Sequence, residues 1–230
     1  HCFDKLNLKT GDIILFKSNN GILSKFINFW TKSDYVHIGI VIKDVVNFLN
    51  LDQNKNFNYD IKNDDNEYGL LECGGQGDCL FHCLAEGLNN ILNPQENKYD
   101  SQQLRKLAAD QVNNDNFDLI LGSYKLEAPN LDWDPEMIFS VKDLQDEIEQ
   151  EGHNFWGDHI IIQLLEQALE INIVILDSLS ASIYNTCSLF KKEHKTVFLY
   201  YQDNLHFQLV GYFDKVMKTN FEYQEIPEQL

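Results

Sequence analysis

Residues 74–88 read GGQGDCLFHCLAEGL: three glycines within four positions, an acidic residue, a cysteine, and then an apolar helical pattern. Leu80, Cys83, Leu84, Leu88 and Ile91 recur at the 3.6-residue period, so the stretch predicts a loop followed by a helix that starts on Cys79 with one buried face. Two readings of Cys79 follow from residue types alone. It is either a small hydrophobe in the first turn of a core helix, or a thiol placed where unpaired N–H groups and the positive end of the helix dipole favour a thiolate. In the second reading, Gly74, Gly75 and Gly77 let backbone approach a group outside the protein.

Working outward, the chain before this stretch reads as strands. GDIILF (11–16) and VHIGIVI (36–42) are short, apolar and β-branched, with an amphipathic helix predicted between them at 22–30. The polar run 46–66, rich in Asn and Asp, marks the best internal boundary, and YGLLEC (68–73) is a strand leading into the glycine loop. Downstream, Asp100 or Ser101 caps a helix carrying Leu104, Leu107, Ala108 and Val112, and a more polar helix runs near 142–152. IIIQLLEQALEI (160–171) is helix by length and period, INIVILD (171–177) a buried strand, and TVFLYYQ with HFQLVGYF a strand pair turning at Asp203 and Asn204. Helices before and between several strands predict an α/β (α+β) sandwich. The expected division is a strand-rich accessory segment over 1–66, a main domain over 67–216 and a tail over 217–230.

Composition narrows the function classes. A chain of 230 residues with 43% hydrophobic content can bury a real core, and no apolar run is long enough to read as a membrane helix. A net charge of −18 disfavours nucleic acid and anionic membranes and suits a basic partner. The abundance of Asn, Asp, Lys and Ile fits an AT-rich coding sequence of the kind found in large DNA viruses and intracellular bacteria. Five cysteines, an odd number without regular spacing, argue against a disulfide framework and for a reducing compartment, so a cytoplasmic setting is expected, in a host cell's cytoplasm or a virion. Cys73, Cys79, His82 and Cys83 are potential zinc ligands, but the second knuckle of a structural zinc site is missing, and neither metal nor cofactor is expected.

A cysteine nucleophile needs a base within hydrogen-bond reach and a group that orients the base. Of seven histidines, His82 lies on the nucleophile's own helix, His153 and His159 flank a helix start, and His1 and His194 sit in terminal or loop contexts. His37 and His206 remain, each beginning an apolar strand.

Four motifs in order, GGQGDCLFHCLAEGL, LRKLAADQV, WGDHIIIQLLEQALEINIVIL and NLHFQLVGY, resemble the ovarian-tumour (OTU) family of papain-like cysteine proteases, most of which are deubiquitinases. The resemblance spans residues 70–213. It implies a papain-like fold with a small central sheet between helical layers, Cys79 as nucleophile and His206 as general base. It also implies hydrolysis of the (iso)peptide bond after the C-terminal Gly-Gly of ubiquitin, polyubiquitin or a related modifier. The chain departs from the family at Gln76, which stands where the family commonly has an acid three residues before the cysteine. Many members instead orient the histidine with an Asp or Asn close to it; here the residue two beyond His206 is Gln208 and the residue two before is Asn204. Asn204 and Gln208 are the candidates for orienting His206, since a neutral amide can hold an imidazole through its carbonyl oxygen. Gln76 either donates to an oxyanion or satisfies loop backbone. N–H groups of Cys79 and of the loop through Gly75, Gly77 and Asp78 would face a developing oxyanion, and Asp78 is placed to cap the helix. Trp156 is expected to fill the core or flank a cleft, a packing role instead of contact with substrate.

The first segment carries a second, shorter resemblance. GDIILFKSNNGILSKFINFWTKSDYVHIGIVI is similar to the opening half of permuted NlpC-type papain-like hydrolases, whose histidine precedes the cysteine in sequence. This implies a rival in which His37 serves an amidase or acyltransferase; a second rival is a ubiquitin-binding pseudoenzyme weakened at Gln76. We read His37 as a strand residue of an accessory layer.

Overall fold

The computed structural model describes residues 13–17, 35–41, 67–89, 98–178, 182–185, 190–203, 205–214 and 216–226. The helix expected at 22–30 and the candidate Asn204 lie outside the described residues, as does the side chain of His37.

Eight strands form one mixed sheet: β1 (Ile13–Lys17), β2 (Tyr35–Val41), β3 (Glu67–Leu71), β4 (Asn172–Asp177), β5 (Ser182–Asn185), β6 (Thr196–Gln202), β7 (His206–Asp214) and β8 (Val216–Lys218). Their spatial order is β1-β2-β5-β4-β6-β7-β3, with β8 also paired to β7. Among the described strands only β4 and β6 run parallel, and both read as continuous apolar runs because they lie inside the sheet, each with a strand on either side. Described helices are α1 (Cys79–Asn89), α2 (Ser101–Asp110), α3 (Phe117–Glu127), α4 (Val141–Ile148) and α5 (His159–Leu169). This is the α/β architecture the sequence pattern predicts.

Local chemistry accounts for the helix starts. Asp100 and Gln103 form a reciprocal capping box on α2, Ser140 accepts from Asp143 N–H on α4, and Asp158 accepts from both Ile160 and Ile161 N–H on α5. The apolar stripe of α1 is buried at Leu80, Cys83, Leu84 and Leu88, and joins α2, α5, β4 and β6 in one hydrophobic core.

Two pairings position the site. β6 and β7 form a hairpin with Gln202 opposite His206 and Leu199 opposite Leu209. On its other edge β7 pairs antiparallel with β3, Leu71 opposite Leu209, so the residue after Leu71 is delivered beside the start of β7. β2, which carries His37, is separated from β7 by β5, β4 and β6, roughly 19 Å of sheet at the usual strand spacing.

Candidate active site

The nucleophile loop is a tight turn. Asp78 N–H donates to Gly75 C=O at 3.3 Å, and the two central residues have positive φ, +61° at Gln76 and +93° at Gly77, the signs of a type I′ turn. Gly77 is required twice over: by that φ, and by the Gly152 backbone, which comes within 2.2 Å of where a Cβ would sit. Gln76 is exposed at the turn's outer corner.

Asp78 opens α1 through its carbonyl, which accepts from His82 N–H at 2.9 Å. Its side chain does not cap the helix as expected from sequence. Instead, Oδ1 accepts from Arg105 Nε and Nη2 at 2.9 and 2.5 Å, and Oδ2 accepts from Gly152 N–H at 2.9 Å. Arg105 is fully buried and also donates to Ile148 C=O and Phe155 C=O, with its guanidinium 4.1 Å from the Phe81 ring centre. The planar five-donor fork thus ties the turn before Cys79, α2 and the loop before α5 into one unit. Burial pulls the Arg105 guanidinium below its ordinary pKa, partly offset by Asp78.

Cys79 is buried, and burial pushes its thiol above the ordinary value. The Phe207 backbone N–H, with those of Leu80 and Cys79 itself, acts in the opposite direction, and the charge of Glu72 adds to the rise. The thiol therefore lies at the N-terminus of α1 against the second residue of β7, immediately after His206. Tyr201 stacks on Phe207 with ring centres 4.4 Å apart.

The imidazole of His206 meets a partner other than the two expected from sequence. Its Nε2 lies 2.8 and 2.9 Å from the two carboxylate oxygens of Glu72. A carboxylate only accepts, so Nε2 is the donor of this contact and Nδ1 is the ring nitrogen left unengaged by Glu72. The side chain of Gln208 donates to Glu72 Oε2 at 3.2 Å, so its amide meets the carboxylate. Gly74 N–H approaches Glu72 Oε1 at 3.4 Å. Strand geometry explains the cluster: His206 and Gln208 are two apart on β7 and share a face, and continuing the β3–β7 register places Glu72 opposite Gln208.

Sequence reasoning did not single out Glu72. One signal was available, since the residue ends the YGLLEC segment that runs into the nucleophile loop, but the pairing partner of that strand was not. Trp156 is 37% exposed, its ring centre 5.2 Å from that of His153, while the neighbouring Phe155 fills the core against Tyr124 and Trp133. Among the described residues no group of three or more His, Cys, Asp or Glu side chains is arranged to hold a metal ion.

Compared with known proteins, residues 74–208 match the profile described as OTU-like cysteine protease. The chain belongs to the OTU-like cysteine protease family. The match covers more than half of the sequence and spans Cys79 and His206. A solved OTU domain in complex with ubiquitin superposes with a TM-score of 0.51 at 17% identity, over 70% of this chain and 81% of that one. An OTU deubiquitinase from Wolbachia pipientis wMel aligns over 75% of this chain and 96% of its own, with 11% identity and a TM-score of 0.45. The viral OTU domain protease from Dera Ghazi Khan virus aligns over 64% and 82%, with 14% identity and a TM-score of 0.42. No curated protein matches the sequence. The OTU fold is the papain-like α/β fold that the motifs imply.

Proposed function

We propose that this OTU-family chain is a thiol-dependent deubiquitinase that hydrolyses the (iso)peptide bond after the C-terminal Gly-Gly of ubiquitin or a ubiquitin-like modifier, with Cys79 as nucleophile and His206 as general base. The observation that carries the reading is the contact of His206 Nε2 with both Glu72 oxygens, which engages that nitrogen and leaves Nδ1 for the reaction, on the residue adjoining the Phe207 N–H that reaches the thiol. Burial keeps Cys79 a thiol at rest, so deprotonation accompanies attack instead of preceding it.

Nδ1 takes the Sγ proton as sulfur adds to the scissile carbonyl carbon. The oxyanion develops against N–H groups at the start of α1 and in the Gly75–Asp78 turn, donors that need no reorganisation. Of these, the Asp78 N–H is already engaged by Gly75 C=O, so the Cys79 N–H carries the larger share. The imidazolium then protonates the departing amine, leaving a thioester. Water, deprotonated by the same nitrogen, attacks the thioester, releasing the modifier's C-terminal carboxylate and restoring the thiol. Support for ubiquitin comes from the ubiquitin-bound OTU domain that shares the fold and from the net charge of −18, which suits a basic C-terminal tail. Catalysis is assigned to residues 67–216, which contain both reacting side chains.

The test is release of a fluorophore from the C-terminal amide of ubiquitin. Cys79→Ala should abolish it, and His206→Ala should lower kcat by about 10³–10⁴, the scale of losing a triad member. His37→Ala should leave it unchanged. Turnover that survives His206→Ala and disappears with His37→Ala in a folded protein would replace this reading with the NlpC-like one.

A further inference from the structure

We infer that Glu72 is the positioning residue for the His206 base, and that Gln208, two residues beyond the histidine, acts one step removed by bracing the Glu72 carboxylate. This rests on the reading of Cys79 and His206 as the reacting pair.

Three observations carry it. First, both Glu72 oxygens lie within 2.9 Å of His206 Nε2, a charge-assisted contact that fixes the tautomer and the ring plane together. Second, the amide of Gln208 is used on the carboxylate, 3.2 Å from Oε2, so Gln208 meets Glu72 and not the ring. Third, Glu72 is rigidly delivered: it follows the last residue of β3, whose pairing with β7 runs without a break from Glu67 to Leu71, and the Gly74 N–H turns back to its Oε1. The side chains of His206 and Glu72 are 29% and 44% exposed, so the contact is reachable by water and needs the brace to hold one geometry. When His206 becomes imidazolium in the transition state, the adjacent carboxylate stabilises that charge, which an amide cannot do.

The experiment compares wild type, Glu72→Ala, Glu72→Gln, Gln208→Ala and the Glu72→Ala/Gln208→Ala double variant, each checked for fold by circular dichroism. Glu72→Ala should lower kcat by about 10²–10⁴ with KM within a few-fold, as for removal of a group that orients a catalytic imidazole. Glu72→Gln keeps the bulk and a carbonyl acceptor but not the charge, and should fall between. Gln208→Ala should lower kcat by about 3–30-fold, and that loss should vanish in the Glu72→Ala background, because residues acting through one another are not additive. A Gln208→Ala loss of equal size in both backgrounds, or a folded Glu72→Ala enzyme within threefold of wild type, overturns the inference. Two readouts do not depend on turnover. By ¹⁵N NMR, His206 should be the Nε2–H tautomer in wild type and a tautomer mixture in Glu72→Ala; the same spectrum in both would also overturn it. In a His206→Ala background, Glu72→Gln should move the pH midpoint of Cys79 alkylation downward, since the Glu72 charge raises that thiol. If wild type neither cleaves nor labels at Cys79 while the tautomer result holds, the deubiquitinase reading has failed and the positioning contact has not.

Discussion

Arg105→Met removes the guanidinium that joins three segments around the nucleophile turn and keeps much of its volume. Arg105 has no solvent exposure and makes two hydrogen bonds to Asp78 and one each to the carbonyls of Ile148 and Phe155. After substitution, Asp78 keeps only the Gly152 N–H, and two carbonyls lose a donor. Breaking one side of a buried ion pair costs about 3–5 kcal/mol. The side chain of Asp78 is 14% exposed, so some water reaches the orphaned carboxylate and the lower half of that range is expected. For a chain of this size it corresponds to a fall in Tm of about 6–16 °C. The assay is urea denaturation followed by tryptophan fluorescence, with the midpoint shift read at constant slope. A companion variant isolates the cause: Asp78→Asn/Arg105→Met, which removes the uncompensated charge, should be more stable than Arg105→Met alone. An Arg105→Met protein within about 0.5 kcal/mol of wild type, the spread of ordinary surface substitutions, would refute the reasoning. So would a double variant no better than the single.

Gly77→Ala should prevent formation of the nucleophile turn, since the added methyl falls 2.2 Å from the Gly152 backbone at a φ of +93°; it is expected to lose hydrolysis and stability together, read by ubiquitin–fluorophore turnover and thermal melting. Cys79 should alkylate with iodoacetamide with a midpoint above the ordinary thiol value of 9.0 in His206→Ala protein, because burial favours its protonated form; a midpoint below that value would contradict the account. The same sign applies to stability: the buried thiols of Cys79 and Cys83 both have raised pKa values in the fold, so their contribution is full below the unfolded thiol pKa and is lost as pH rises through the folded values. Urea midpoints between pH 8 and about 10.5 should therefore fall, and fall less in Cys83→Ala.

The parts of the fold that were legible in the sequence are those whose burial follows one period. The α1 stripe and the apolar runs of β4, β6 and β7 announce themselves because each packs one face, or both faces, against a single core. The helix α3 was not recognised: FDLILGSYKLE interleaves Gly, Ser and Lys with apolar residues, and only Ile120, Leu121, Ser123 and Tyr124 are buried. The short strands β5 and β8 have too few residues to show alternation. At the site, Cys79 and His206 were marked by motif. Glu72 was not, because one carboxylate among 36 acidic residues acquires meaning only from the register that sets Leu71 against Leu209, a pairing across most of the domain. The role of the Asp78 side chain was hidden for the same reason, as its partner Arg105 is 27 residues away on another helix.

The central claim, that Cys79 is a nucleophile poised for the C-terminus of ubiquitin, is tested most directly by incubating the protein with ubiquitin carrying a C-terminal electrophile and locating the adduct by mass spectrometry. The account predicts a single adduct at Cys79, absent in Cys79→Ala and strongly slowed in His206→Ala. Labelling at Cys73 or Cys83 with Cys79 left free, or no adduct with a folded protein, would contradict it.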